Sequence, residues 1–322
     1  MFALAVMSML IKYSRKTTVL LFVFLSVCVI PTYAAAPSVA VIYPEIRAPF
    51  NKIFTDMADG VEDEVNGRTI RYILKKDYSQ QELNSWLKNN KIKVCVALGV
   101  RSENATTDIS NNIPVVISGV LTPKKSSKHR ATISLAPSPG RLFVKLKKLK
   151  PNVSKVIVVY NPTKTEWLIR EAHNAAQKNN LELVVYTTKS LSQSAKIYKK
   201  IFKHSDIKKS AIWLPPDPTS IDNRAVLSYI LEHSWKKGTA VFSSSLAHVN
   251  KGVLFAMYPD NLKLGQTIGK AALEELKGNS LPKGVVPVED LQTAFNKRTA
   301  EHLGIQFTNT DLRGYDAVFP SE

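Results

Sequence analysis

Along the chain, short runs rich in β-branched and apolar residues alternate with longer stretches in which apolar residues recur every three or four positions. The short runs fall at residues 39–43, 69–74, 94–98, 115–117, 156–160, 183–186, 211–214, 240–242 and 253–257. Most are apolar at consecutive positions, as strands covered by helices on both faces must be. Between them, Phe50, Ile53, Phe54, Met57, Ala58, Val61 and Val65 form one helical stripe. Leu142, Phe143, Leu146 and Leu149 form another behind Ser138-Pro139, which reads as an N-cap followed by proline at the first helical position. Leu191, Ala195, Tyr198 and Phe202 form a third. Ser79 with Glu82, and Thr163 with Glu166, have the spacing of capping boxes. Asp260 is placed to cap a helix over 262–276, and Gly278 to stop it.

Such alternation predicts an α/β protein with parallel sheets joined by right-handed crossovers. Four strands precede residue 118 and at least four follow residue 155, which fits two sheets of four to six strands better than one sheet of nine. The stretch 121–139, with Pro123, a basic run and Pro137, reads as a crossing between two lobes plus an exposed loop.

Composition changes the picture in two places. The 322 residues, 44% hydrophobic and 22% charged, suit an ordinary folded protein and exclude disorder and a multi-span membrane protein. The first place is the N-terminus. Lys12, Arg15 and Lys16 precede a 12-residue apolar run ending at Ile30, followed by small residues. This is the pattern of a secretory signal, with cleavage expected after Ala34 and a retained membrane anchor as the alternative. Removing 34 residues with three cations and no acid leaves 288 residues, a formal charge of +15 and one cysteine, Cys95, within a buried-strand run. The second place is charge. The chain as a whole carries +18, and its lysine pairs are dispersed, which reads as a solvated surface drawn to anionic membrane or envelope polymer. Nucleic acid is not an expected partner.

The chemistry of common enzymes is missing. The sequence has no nucleotide P-loop, no dinucleotide fingerprint after the first strand, no nucleophile elbow and no zinc-protease motif. Its six histidines are scattered, so no metal site, cofactor or catalytic residue is expected. In open α/β sheets ligands bind beyond the carboxyl ends of the strands. There the sequence offers Gly99, Arg101 and Ser102; Ser118; Asn161; Asp217 between two prolines; the triple serine Ser243, Ser244 and Ser245; and Tyr258 and Asp260. Hydroxyls, amides and tight turns make a hydrogen-bonding cleft rather than a catalytic one. Each of these residues also has a plainer reading as a helix cap or turn former, Asp260 most of all.

At these tips the sequence resembles a known family. YNP at 160–162, WLPPDP at 213–218, FSSSLAHVNKG at 242–252 and YPDNLKLGQTIGKAALEELKG at 258–278 look like ABC-transporter substrate-binding proteins of periplasmic-binding-protein type 1, in the branch that includes tryptophan- and tyrosine-binding proteins. The resemblance implies two Rossmann-like lobes around a hinged cleft, with residues 35–121 and 255–285 in the first and 122–254 and 286–322 in the second. It supports Asp217, Ser243, Ser244, Ser245 and Tyr258 as cleft residues, and Gly99 and Ser118 beside them. Where the family often carries a Gly-Asn…Thr-Gly stretch, this chain has Arg130-Ala131-Thr132-Ile133-Ser134. The implied role is a periplasmic monomer that closes around a small molecule, such as an amino acid with an aromatic side chain, and delivers it to a membrane permease. A sensor presenting its closed form to a membrane receptor is the alternative.

Overall fold

The computed structural model describes residues 38–48, 50–109, 112–124, 130–204, 207 and 209–320. The expected secretory segment lies outside them. Among the described residues, no helix is long and apolar enough to cross a membrane.

The first half of the chain runs β1 (Val39–Pro44), α1 (Asn51–Val65), β2 (Thr69–Leu74), α2 (Gln80–Asn89), β3 (Val94–Leu98), α3 (Val100–Ala105), β4 (Val115–Ser118) and β5 (Ala131–Pro137). There follow α4 (Pro139–Leu149), β6 (Lys155–Tyr160), α5 (Pro162–Lys178), β7 (Glu182–Thr187), α6 (Leu191–His204), β8 (Ser210–Leu214), α7 (Ala225–Lys237), β9 (Ala240–Ser243), α8 (Leu246–Asn250) and β10 (Phe255–Pro259). The chain closes with α9 (Asn261–Leu276), β11 (Gly284–Val288), β12 (Leu291–Asn296), α10 (Lys297–His302), α11 (Asn309–Leu312) and β13 (Ala317–Phe319).

Two sheets result. The first has the order β11-β5-β4-β3-β1-β2 and is parallel throughout; the second has the order β13-β12-β10-β9-β8-β6-β7, with β10 and β12 antiparallel. The central strands β1, β3, β6 and β8 are buried along nearly their whole length, whereas the edge strands β2 and β7 are only partly covered. This is why the central runs read as unbroken apolar stretches. In both sheets the order reverses beside the first strand, between β1 and β3 and between β6 and β8, which opens a crevice at the carboxyl ends.

The nine expected strands are all present, and four more accompany them. The stretch 121–139, read as crossing and loop, contains β5, an inner strand of the first sheet. Its buried face carries Thr132 and Ser134, so no apolar run announces it; Ser134 Oγ donates to Leu121 O (2.7 Å) and accepts from Ala136 N (3.0 Å), satisfying its polarity locally. β11 contains Pro287 and lies at a sheet edge, where the missing N–H costs no ladder bond. β12 and β13 lie in a stretch that the sequence pattern does not mark as strand. One helix start also differs. Asn161, not Thr163, caps α5, with Oδ1 accepting from Thr163 N (3.0 Å) and Pro162 in the first turn. Glu166 accepts instead from the Tyr160 hydroxyl (2.7 Å).

The chain passes between the sheets three times, after β5, after β10 and after β11. β10 pairs within the second sheet, while the helix that follows it, α9, packs on α1 of the first. The crossings are tied to each other: Ser138 N donates to Val288 O (3.0 Å) and Asp260 N to Asp290 O (3.0 Å). The α1–α9 contact is unusually close. A Cβ added to Gly60 would lie 2.1 Å from Leu262 O, and one added to Gly265 would lie 2.2 Å from Met57 O. These glycines let two backbones meet over the core formed by Met57, Val61, Leu264 and Ile268.

Gly→Ala in a helix interior normally gains up to about 1 kcal/mol from propensity. Here the added methyl meets rigid backbone, and overpacking costs typically about 1–3 kcal/mol. Gly60→Ala and Gly265→Ala are therefore each expected to lower the urea-unfolding free energy; equal or higher stability in both variants would contradict the close contact.

Candidate functional site

The strand tips of the two lobes meet at a cavity of about 440 Å³ lined by Leu121 beyond β4 and by Pro215, Pro216, Asp217, Ser243, Ser244, Ser245 and His248 of the second lobe. The sheet topology puts these residues here, since the loops after β4, β8 and β9 all emerge at carboxyl ends. A further bond crosses between the lobes nearby: Thr122 Oγ1 donates to Lys164 O (2.6 Å).

Asp217 is 2% exposed, and its carboxylate is fully engaged inside the second lobe. Oδ2 accepts from Asn161 N (2.6 Å) and Thr165 Oγ1 (3.3 Å); Oδ1 accepts from Thr219 N (2.9 Å) and Thr219 Oγ1 (2.6 Å). A buried carboxylate with no cation needs several donors, and four are supplied. The result is a clip joining the β6 and β8 tips across the point where strand order reverses. Asp217 thus shapes the cavity wall but has no oxygen left without a bond. Asn161 is likewise committed, its side chain to the α5 cap and its N–H to Asp217.

The three serines differ. Ser243 Oγ accepts from Ser245 N (3.1 Å) and lies 2.7 Å from His248 Nδ1. Burial, with Lys251 nearby, pushes His248 down to about 4, so its ring is neutral at physiological pH. With the hydroxyl as donor to Nδ1 the ring proton sits on Nε2, and with the reverse tautomer Nε2 is an acceptor; either way the ring offers one polar nitrogen beyond this bond. Ser244 Oγ is shielded and has no hydrogen-bond partner. Ser245 precedes α8 and makes no side-chain cap bond.

In the first lobe, Gly99 adopts φ 86° and Gly119 φ 72°, and the Phe54 ring occupies the space beside both: a Cβ on Gly99 would meet it at 2.9 Å and one on Gly119 at 3.2 Å. Phe54, packed against the first-lobe core, thus also abuts the β3 and β4 tips. Ile46, Phe50, Val100 and Leu121, which follow or precede those tips, are exposed, Phe50 by 66%. This apolar rim was not read from the sequence, because Phe50, Ile53 and Phe54 belong to the same 3–4 stripe as the core-facing Met57 and Val61. Ser118 Oγ donates to Ile133 O (2.7 Å), tying β4 to β5 and not to the cleft. Arg101 is half-buried with no side-chain hydrogen bond or ion pair among the described residues, and Ser102 Oγ is buried without a partner.

Tyr258 lies half-buried on β10 against Val249, Ala256 and Ala294, its hydroxyl raised by burial with Asp316 and Asp260 nearby. Asp260 performs the cap that its position implied, accepting from Lys263 N (3.2 Å) and pairing with Lys263 Nζ (3.1 Å). Cys95 is a buried thiol raised to about 12 by burial, far from nucleophilic at neutral pH. Among the described residues no cluster of acids, histidines and cysteines has the form of a metal site.

Two outcomes follow. Asp217→Ala leaves several buried donors unpartnered and is expected to cost at least about 2 kcal/mol of stability, whereas Ser244→Ala leaves the urea midpoint nearly unchanged; reversed sensitivities would refute these roles. His248 has a folded value below its unfolded one of about 6.5. Below that pH the unfolded state binds more protons, so the stability His248 contributes is present above about 6.5 and lost as pH falls towards about 4. Thermal melts of the wild type should decline across this window more steeply than those of His248→Gln; parallel curves would contradict the neutral buried ring.

Comparison with known proteins agrees with this architecture. The family model described as ABC transporter substrate binding protein matches residues 74–314. No curated protein matches the sequence. Among solved structures, an ABC domain in complex with L-Trp from Streptococcus pneumonia superposes with TM-score 0.51 at 17% identity, covering 88% of this chain and 100% of that one. The open, ligand-free substrate-binding protein CD0873 from Clostridium difficile superposes with TM-score 0.59 at 17% identity, covering 88% and 99%. A conserved domain protein from Vibrio cholerae gives TM-score 0.52 at 20% identity, covering 88% and 99%. The fold is the two-lobed α/β arrangement of periplasmic-binding-protein type 1. With its matched region spanning most of its length, the chain belongs to the ABC transporter substrate-binding proteins.

Proposed function

We propose that this protein captures an amino acid with an apolar, ring-bearing side chain between its two lobes, in the periplasm, and passes it to an ABC permease. The observation that carries the reading is the chemical asymmetry of the cleft. On the first lobe, Phe54 abuts Gly99 and Gly119, with Phe50, Val100 and Leu121 exposed around it. On the second lobe, Ser244, Ser245 and the His248 ring line the cavity. An amphipathic solute matches both walls: its ring against Phe54, its polar head at the serines, its carboxylate within reach of Arg101 as a counter-ion. Ring-on-ring contact adds about 0.5–1.5 kcal/mol beyond the area buried.

In this reading Gly99, Arg101, Ser102, Ser244, Ser245 and Tyr258 belong to the ligand site, while Ser118, Asn161, Asp217, Ser243 and Asp260 hold the walls that present it. The ligand bridges the lobes and shifts the population from open to closed. The secretory pattern at the N-terminus and the family's extracytoplasmic role support a periplasmic location.

A thermal-shift screen of the natural amino acids tests this. At a hundredfold excess over its dissociation constant, a ligand specific for the folded state adds about 2.7 kcal/mol of stability. Large shifts are expected with aromatic or large apolar amino acids and none with lysine or glutamate. Phe54→Ala should weaken binding by roughly tenfold without loss of fold, and small-angle scattering should show a smaller radius of gyration on saturation. No shift with any amino acid, or an unaffected Phe54→Ala, would overturn the proposal.

A further inference from the structure

A second cavity, of about 440 Å³, lies away from the cleft on the flank of the second lobe. The last two turns of α4 and the segment leading through α11 to Gly314 and Tyr315 enclose it. Three lysines line it, Lys145, Lys148 and Lys150, together with one acid, Asp311. The acid is already committed: both Thr308 N (2.8 Å) and Thr308 Oγ1 (2.7 Å) donate to Asp311 Oδ2 in a capping box. Asp311 offsets one of the three cations, with Lys148 among the groups that hold it ionised, so the cavity lining keeps a positive excess.

The lysines of α4 have different reasons for being there. Lys147 reaches Pro151 O (2.6 Å) and Val153 O (2.9 Å) in the loop beyond the helix, and Lys150 reaches Leu303 O (3.0 Å) at the end of α10; both tie the helix terminus to its surroundings. Lys145 lies further back and makes no carbonyl bond or ion pair among the described residues. Its ammonium instead sits 3.9 Å from the centre of the Tyr315 ring, half-buried, with Lys148 one turn along the same face. A half-buried cation beside a like charge is short of both water and counter-charge. Burial and Lys148 together push it down to about 8. The Tyr315 hydroxyl, raised to about 12 by burial and by Asp311, stays protonated and can donate.

We propose that this cavity is an oxyanion site that takes a phosphate group, with Lys145 and Lys148 as its charge partners and the Tyr315 ring holding Lys145 in place. The phosphate belongs either to a small soluble molecule or to an anionic lipid headgroup. A tetrahedral oxyanion supplies the counter-charge that one carboxylate cannot give to three lysines.

Titration with inorganic phosphate at pH 7 tests the site, followed by calorimetry and by the NMR shift of the Lys145 side chain. Saturable binding is expected, weakened about tenfold or more by Lys145→Met and restored by Lys145→Arg. Lys148→Met, at an exposed position, serves as a second variant whose fold is not in question, and it too should weaken binding. Sulfate, whose charge is constant between pH 7 and 9, should lose affinity across that range in the wild type, because Lys145 deprotonates; Lys145→Arg should be insensitive. Phosphatidylglycerol and phosphatidylcholine vesicles separate the sources. Lysine-dependent capture by the former, competed by free phosphate, marks a headgroup site; phosphate binding without capture marks a soluble ligand. No saturable phosphate binding, or binding unchanged in both Met variants, would overturn the proposal. Cleft ligand binding should be the same in all three variants, so failure here is separate from failure of the amino-acid reading.

Discussion

The three crossings between the sheets set where everything else can lie. Because β5, β10 and β11 each end at one place, the strand tips of both lobes open onto the same gap, and no residue in mid-strand can reach it. The bonds between crossings, Ser138 to Val288 and Asp260 to Asp290, are main-chain bonds whose strength does not depend on side-chain identity. Thr267 Oγ1 adds a side-chain tie to Asp290 Oδ2 (2.7 Å). A hinge built from backbone hydrogen bonds can bend by small dihedral changes while remaining one connected element, which is the requirement for lobes that open and close as bodies.

Within the second lobe the dominant constraint is a buried charge. Asp217 makes no ion pair among the described residues, so it is retained because four donors converge on it, and those donors belong to the β6 tip, to α5 and to the turn after β8. The clip thereby fixes the distance between the β6 and β8 loops. The first lobe solves the corresponding problem without charge. Two glycines in positive-φ conformations let a phenyl ring settle beside the backbone, and a serine hydroxyl adds to the main-chain pairing of β4 with β5. One wall is rigid through hydrogen bonds and the other through packing.

Much of this was legible in the sequence. The central strands are sandwiched by helices and so read as unbroken apolar runs; Asn161, Asp217 and the triple serine stand out because they follow such runs directly. What the sequence hid has physical reasons. β5 buries the hydroxyls of Thr132 and Ser134 on its covered face, so its pattern resembles a polar loop. Gly60 and Gly265 look like ordinary weak points of two helices until the chain's late return places them against each other. Asp217, between its prolines, reads equally as a turn former and as a ligand contact. Thr219 supplies two of its donors from close by, but Asn161 and Thr165 lie more than fifty residues away, and no local spacing encodes them. Phe54 was hidden by its own periodicity, since the stripe that buries Met57 and Val61 also carries the ring to the cleft.

The distribution of charge bears on selectivity. The chain is strongly cationic, yet the cavity between the lobes is lined by hydroxyls, prolines, a neutral imidazole and two carboxylates, Asp217 and Asp222, each held by hydrogen-bond donors of the second lobe. Lysines cluster instead on outer helix faces, as at Lys147 and Lys148, where water screens them within about 8–10 Å. A cleft that displays little free charge discriminates by shape and by hydrogen-bond direction, because a mismatched polar group left unpaired on closure costs about 1–3 kcal/mol. An apolar wall alone separates solutes by only about 1–3 kcal/mol per methylene. In the function proposed above, opposing one wall of each kind couples the two tests: a solute would have to fill the Phe54 surface and satisfy the shielded Ser244 hydroxyl in the same closed geometry. Selectivity in that reading resides in closure itself, since neither wall alone meets both demands.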